Sequence, residues 1–310
     1  MVFVVTSVAE LESLLGEQPP ITLAKSIDRL DEHCLAFLAH SPFAVLGTED
    51  AGGRLHSVAL GGEPGALHPV TDTRIALPAA DVPAEDGAAA GLVAFVPGYR
   101  ETLRVNGRLR RDGDALALDV EEAFLHCAKC ILRSKLWDDA HEPGEAVPGA
   151  VFHDAAVTAF LARSPFLTLA TVDADGFADV SPKGEPAGFF VALDDHTLAI
   201  ADRPGNRRTD TYRNLLANPA ISVLAVVPGD DRVLHVSGTA RLSTDAALRE
   251  RFESKGNVPE LALVVEADLV KLRTEPGLVE STLWTAPRVA TGTLPKAAEI
   301  WTDHVAAGST

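Results

Sequence analysis

Apolar residues in this chain come mostly in runs of roughly four to eight, closed off by glycine, proline and aspartate. That rhythm predicts strands. In the C-terminal half the runs are Phe189–Leu193, Thr197–Ala201, Ile221–Val227 and Val233–Ala240. Helical spacing is confined to short stretches. One precedes each Ser-Pro pair (Ser41-Pro42 and Ser164-Pro165), one spans Thr209–Ala217, and one spans Thr244–Ser254 with Ser243 or Thr244 as its cap. Six or so strands with a few short helices in each half predict a small closed or split barrel, mainly β with short helices (α+β), rather than a βαβ sheet.

The same pattern occurs twice. Phe37-Leu-Ala-His-Ser-Pro-Phe43 returns as Phe160-Leu-Ala-Arg-Ser-Pro-Phe166, and each copy runs on into an apolar strand, Ala44–Thr48 or Leu167–Thr171. Gly62-Glu-Pro64 matches Gly184-Glu-Pro186, and Val93-Ala-Phe-Val-Pro-Gly98 matches Leu224-Ala-Val-Val-Pro-Gly229. Leu103–Leu109 matches Leu234–Ala240, and Leu136-Trp137 matches Leu283-Trp284. Markers in one fixed order imply a tandem duplication. The joint falls in His141–Gly149, rich in proline, glycine and glutamate, which divides the chain into 1–147 and 148–310.

A length of 310 residues with 46% hydrophobic content suits two cores. The net charge of −17 argues against nucleic acid or an anionic membrane as partner, since both require a basic face. No apolar stretch reaches the roughly 18 residues of a membrane span. Met1–Ser7 lacks the basic flank and cleavage site of a secretory signal, so a cytoplasmic location is expected. Three cysteines, Cys34, Cys127 and Cys130, do not make a disulfide framework. Cys127-x-x-Cys130 lacks two further ligands at zinc-site spacing, so these are read as ordinary reduced cysteines and no metal is expected. Neither a Ser-His-Asp pattern nor a Gly-x-Ser-x-Gly elbow is present, which disfavours a hydrolase.

Against the acidic background, one basic cluster needs a reason. Ala201-Asp-Arg-Pro-Gly-Asn-Arg-Arg-Thr-Asp210 sets Arg203, Arg207 and Arg208 around a Pro-Gly turn that opens a helix, and Lys183 arrives from a neighbouring strand. Helix N-termini and guanidinium groups both suit a phosphate or another anion, and Gly205 permits close backbone approach. A solvated basic helix end, with Asp210 partnering Arg207, is the alternative.

The stretch 179–229 resembles the pyridoxamine 5'-phosphate oxidase-like FMN flavoproteins. It is most similar to a bacterial subgroup with a Ser-Pro-(Lys/Arg)-Gly strand, an Asp-Arg-Pro-Gly-Asn-Arg-Arg turn and Arg-Asn-(Ile/Leu)-Leu-x-Asn-Pro. Here these read Ser181–Gly184, Asp202–Arg208 and Arg213–Pro219. The resemblance implies two fused FMN-binding split β-barrels, with FMN phosphate and ribityl contacts at Ser181, Lys183, Asn206, Arg207 and Arg208.

The copies have lost complementary parts. The first has Ala59-Leu-Gly-Gly62 in place of Ser-Pro-Lys-Gly, and the shorter acidic segment Pro78–Ala90 in place of the arginine turn. It retains His126-Cys-Ala-Lys129 and Arg133-Ser-Lys-Leu-Trp137, which resemble the subgroup's C-terminal signature; the second copy reads Glu280-Ser-Thr-Leu-Trp284 there. Single-copy relatives are homodimers with flavins between subunits, so the resemblance implies an intrachain pseudo-dimer with one composite site. Lys129, Arg133, Ser134 and Trp137 of the first copy would face the FMN held by the second. A tryptophan present in both copies also suits a packing role, and His126 and Lys129, read as sharing a helix face, also suit plain interfacial polarity. Lys183, Arg133 or Lys129 would supply a cation near the flavin's pyrimidine end. The implied function is an FMN-dependent oxidoreductase acting on a small organic substrate, but not pyridoxamine-phosphate oxidation itself, because that enzyme's substrate-phosphate residues are missing from both copy ends. A non-catalytic flavin or haem carrier or sensor is one alternative, and an empty scaffold another. Further association of the pseudo-dimer is left open.

Overall fold

The fold was obtained as a computed structural model, which describes residues 3–138, 141–142, 144, 149–290 and 292–307. Most of the expected joint, and with it the 147/148 division, lies outside the described residues. The chain opens with helices α1 (Val8–Leu15), α2 (Pro20–Leu23) and α3 (Glu32–Ala39). Strands β1 (Phe43–Glu49), β2 (Leu55–Gly61), β3 (His68–Thr71), β4 (Arg74–Leu77), β5 (Ala89–Phe95), β6 (Thr102–Asp112) and β7 (Ala115–His126) follow, then α4 (Lys129–Ser134). The second half runs α5 (Ala155–Leu161), β8 (Phe166–Val172), β9 (Ala178–Gly184), β10 (Phe190–Ala192), β11 (Thr197–Ala201), α6 (Asp210–Ala217), β12 (Ala220–Val226) and β13 (Arg232–Ser243). It closes with α7 (Ala246–Glu250), β14 (Ala262–Thr274), α8 (Pro276–Glu280) and α9 (Ala297–Ala307).

The strands form two 7-stranded sheets, ordered β2-β1-β5-β6-β7-β4-β3 and β9-β8-β12-β13-β14-β11-β10, all of whose pairings are antiparallel. The two orders are one topology repeated, so the duplication read from the sequence is a duplication of fold. Even the irregularities recur. The β6/β7 register shifts between Asn106 and Gly107, and the β13/β14 register between Ser237 and Gly238. A side chain at either glycine would collide with a carbonyl on the facing strand, of Asp119 or Glu266.

The repeated markers have structural reasons. Ser41 and Ser164 are fully buried. The Ser41 hydroxyl lies 3.0 and 2.8 Å from the carbonyl oxygens of Phe43 and Phe95. That of Ser164 lies 3.3 and 2.7 Å from those of Phe166 and Val226, so each serine ties the start of a strand to its neighbour. Each tryptophan indole donates to the carbonyl that follows a Pro-Gly turn: Trp137 to Tyr99 at 2.6 Å and Trp284 to Asp230 at 3.0 Å. One match is corrected. Phe43 pairs with Gly61 and Phe166 with Gly184, so the structural partner of Gly184 is Gly61, one residue before the Gly-Glu-Pro string.

The shared glycine is set by the other barrel. A side chain at Gly184 would strike the carbonyl of Cys130 in α4, and one at Gly61 would strike that of Gly277 in α8. Each barrel thus lays its terminal helix across the other's strand end. Between the sheets Phe43, Phe95, Phe166, Leu136 and Leu283 pack in one cluster, with Phe95 edge-on to Phe166 at 5.7 Å and the two tryptophan rings 6.4 Å apart.

The ends of the chain cross over. Val5 and Leu11 are buried in the second barrel's core, and the Val5 N–H donates to Leu242 at 2.9 Å. Leu294 and Ile300 are buried in the first barrel's core, where Trp301 donates to Leu125 at 3.1 Å and the Tyr99 hydroxyl donates to Pro295 at 2.7 Å. The expected helix at 209–217 opens at Asp210. The one at 244–254 shortens to α7, and its cap is Asp245, which accepts from the Leu248 N–H at 2.8 Å, rather than Ser243 or Thr244. No helix among the described residues is long and apolar enough to cross a membrane.

Candidate functional site

A cleft of about 790 Å³ opens where the turn after β11 meets β9, the end of β7 and the start of α4. Leu14 and Leu15 of α1 line it from the N-terminal arm, and Ser254, Lys255 and Asn257 to Glu260 from the loop before β14. Both halves therefore contribute. Seven side chains lining it are Lys or Arg and three are Asp or Glu, the reverse of the whole chain's balance.

Ser181 and Lys183 stand on β9 and line the cleft, where Ser181 is buried. The Lys183 ammonium lies 4.9 Å over the ring of Tyr212 and 3.4 Å from its hydroxyl. Burial pulls the lysine's pKa down, against the pull of Asp202 upward. Tyr212 donates to Asp202 at 2.5 Å, and its own pKa is pushed well up by burial and by that carboxylate.

In the turn, Asn206 accepts the Arg208 N–H at 3.1 Å through its side-chain oxygen, while its carbonyl accepts from the Thr22 hydroxyl at 3.2 Å. Arg207 is exposed, in the left-handed region at φ 58°, an unusual conformation for a residue with a β-carbon and one found at binding turns. Arg208 stands apart from the other cations. Its side chain is 4% exposed, lies 3.7 Å over the Phe124 ring, and pairs with Glu122 at 2.6 Å and Asp210 at 2.5 Å. It also donates to the Ser26 hydroxyl at 3.0 Å. Arg208 is thus committed to protein partners, Glu122 and Phe124 being on β7 of the first half. The Arg207–Asp210 pairing weighed from the sequence is instead made by Arg208. Because the first turn of α6 carries Asp210, that helix end already has an acid.

The first half reaches the turn through α4. Lys129 donates to the Gly205 carbonyl at 3.2 Å, and Arg133 donates to the Pro204 carbonyl at 3.0 Å while pairing with Glu185 at 2.7 Å. Two neighbouring carbonyls of the turn are therefore held by the opposite barrel. His126 ends β7 and Lys129 starts α4, so they do not share a helix face as the sequence suggests. Burial, reinforced by Arg104, Lys183 and Arg208, drives the His126 pKa well below its ordinary value and keeps the ring neutral. Ser134 and Trp137, expected at the same wall, lie elsewhere. The Ser134 hydroxyl turns back to the Cys130 carbonyl at 2.7 Å inside α4, and Trp137 packs at the barrel interface. A short helix ending in a left-handed Lys135 carries the chain away from the cleft before residue 137.

Several contributors were not picked out from the sequence. Asp202 and Tyr212 form the floor beneath Lys183. Behind the turn, buried Arg104 and Asp179 pair across the halves, and Asn106 donates to Glu122 at 2.8 Å. Their signal in the sequence is weak: polar residues on β6, β7 and β9, of which Arg104, Asp179 and Glu122 find partners in the other copy.

With this geometry in place, the chain defines itself as a pair of split barrels sharing one basic cleft. Residues 153–274 match the family model described as pyridoxamine 5'-phosphate oxidase. That match lies wholly within the second half, whose strand topology the first half repeats. Similar solved structures include the HupZ protein of Group A Streptococcus (21% identity, 34% of this chain and 82% of that chain, TM-score 0.30). A candidate pyridoxamine 5'-phosphate oxidase from Lactobacillus delbrueckii matches with 25% identity over 34% and 83% of the chains, TM-score 0.28. General Stress Protein 26 of Bacillus anthracis matches with 18% identity over 37% and 89%, TM-score 0.31. Among curated proteins none matches the chain.

Proposed function

We propose that the cleft binds FMN and that the protein is an FMN-dependent oxidoreductase of a small organic substrate, with a single composite flavin site between the halves. The observation that carries this reading is the concentration of cations without carboxylate partners. Among the described residues Lys129, Lys183, Arg203 and Arg207 make no direct ion pair with a carboxylate, Asp202 acting on Lys183 only at longer range, in a chain of net charge −17. Such a set suits a ligand that brings its own negative charge. The residues fit FMN in kind: cations and the buried Ser181 for a phosphate and its sugar chain, and apolar Leu14, Leu15 and Phe189 for a ring system.

On this reading Arg207, Arg203 and Asn206 hold the phosphate end, and Ser181 contacts the ribityl chain. Lys183, kept in place by Tyr212 and Asp202, faces the ring as a cation of lowered pKa. Lys129 and Arg133 act as positioning residues through their bonds to the turn, and Arg208 anchors the turn to the first barrel. Bound FMN would supply hydride or electron transfer, chemistry that none of these side chains provides alone.

The test is the visible spectrum of the freshly purified protein, followed by FMN titration of apoprotein and of Arg207→Ala. The expected results are a yellow protein whose melting temperature rises with FMN, and weaker binding in the variant. A colourless protein whose melting temperature ignores FMN would refute the cofactor. A yellow protein that no reductant or small substrate can cycle would refute the oxidoreductase and leave a carrier or sensor.

A further inference from the structure

Outside the set of residues that line the cleft, the C-terminal arm meets α3 at three electron-pair donors. The ligand atoms of Asp31, Cys34 and His304 all lie within 4.8 Å of one another. His304 and Cys34 are fully buried, and Asp31 keeps 29% of its side chain exposed.

The orientation of the histidine settles which atom faces the group. His304 Nδ1 lies 3.1 Å from the carbonyl oxygen of Lys25. A carbonyl only accepts, so Nδ1 carries the hydrogen, and in the neutral ring Nε2 presents a lone pair. That atom has no hydrogen-bond partner, yet it sits 3.0 Å from Asp31 Oδ2, another acceptor. Asp31 is itself oriented, because its Oδ1 accepts the Cys34 N–H at 2.9 Å. Two lone pairs face each other with a thiol beside them, and something positive belongs between them. A second proton on His304 would satisfy the pair but leaves Cys34 without a role.

We propose that Asp31, Cys34 and His304 form a binding site for a divalent, borderline-soft cation of the zinc class. Mixed N, O and S donors suit such an ion, and not magnesium or calcium, which take oxygen ligands. An Nδ1–H bonded to a backbone carbonyl is the usual support that fixes a metal-binding imidazole. The exposed edge of Asp31 leaves room for water as a fourth ligand. Binding of the cation would displace the thiol proton of Cys34, since the thiolate is the ligand form. The site would rivet α9 to α3 and thus the end of the chain to the first barrel. The ligands stand at positions 31, 34 and 304, so no local sequence spacing reveals them.

The test uses the full chain without a histidine tag, stripped by chelator, loaded with zinc chloride, desalted and assayed for metal. About one zinc per chain is expected, with affinity at least about tenfold weaker in Cys34→Ala and His304→Gln, since even losing a supporting contact costs that much. Cobalt(II) loading of the wild-type protein should give a thiolate charge-transfer band, a readout independent of whether the variants fold. Zinc content no higher than in His304→Gln, or a cobalt spectrum lacking the thiolate band, would overturn the site and leave an imidazolium–carboxylate pair only.

Discussion

Arg207 and Arg208 are neighbours in one motif, yet the structure gives them opposite duties, and a pair of alanine variants separates them. Arg208→Ala removes a guanidinium held by Glu122 and Asp210 and stacked on Phe124. Both carboxylates then remain in a largely closed site, at 17% and 23% side-chain exposure. Breaking a buried pair by deleting one partner costs roughly 3–5 kcal/mol. Residual exposure of the two acids favours the lower end, about 3 kcal/mol. With the halves interlocked the chain melts as one unit, whose unfolding entropy of about 0.65 kcal/mol/K turns this loss into a fall in the apoprotein's melting temperature of roughly 5 °C. Arg207→Ala touches no ion pair and should leave stability within about 0.5 kcal/mol. On the FMN reading it should weaken binding by about 1.5–3 kcal/mol, roughly 10- to 150-fold. Thermal melts of both apoproteins and flavin-fluorescence titrations of both variants provide the two axes. An Arg208→Ala protein as stable as wild type, or an Arg207→Ala protein that is destabilised with its flavin affinity intact, would refute the division of labour.

Two further outcomes follow from the interface. Trp137→Phe loses the indole bond to Tyr99 and should lower stability by about 1 kcal/mol without changing flavin affinity, and a large affinity loss in titration would put the tryptophan back in the site. His235, buried between the barrels beside Ser222 and Ser237, has its pKa held down to about 3 by burial, then by His56 and the cations Arg273 and Lys271. The unfolded chain therefore takes up this proton below pH ~6.5 while the folded one does not, so stability is retained above that pH and falls on acidification by up to ~1.4 kcal/mol per unit. Melting curves between pH ~6.5 and ~5, above the ordinary carboxylate pKa range, should show a flatter fall in His235→Asn; an unchanged slope would remove His235 from the account.

The barrel repeat was legible because its markers are local. Buried serines before a strand, a glycine at the β-bulge and a tryptophan after a terminal helix each leave a fixed residue in both copies. The turn at 202–208 was legible for the same reason, being one continuous stretch whose basic residues oppose the chain's overall charge. Its internal division was not. Whether an arginine is free or consumed depends on Glu122 and Phe124, which reach it only because the two barrels pack together. Trp137 shows the converse error. Its place in the Arg133-Ser-Lys-Leu-Trp137 signature implied a shared site, but the end of α4 turns the chain between them. The Gly-Glu-Pro match misled by one position, since the strand register, and not the string, fixes which glycine the opposing helix presses on.

The crossed ends of the polypeptide change what the linker has to do. Each half embraces the other's arm: residues near Leu11 are sealed inside the second body, and those near Ile300 inside the first. A protease nick between 139 and 148 would therefore leave two fragments still clasped, whereas either fragment made alone would lack a piece of its own interior and carry a greasy tail meant for its sibling. The union rests on this mutual handhold as much as on the peptide bond between them.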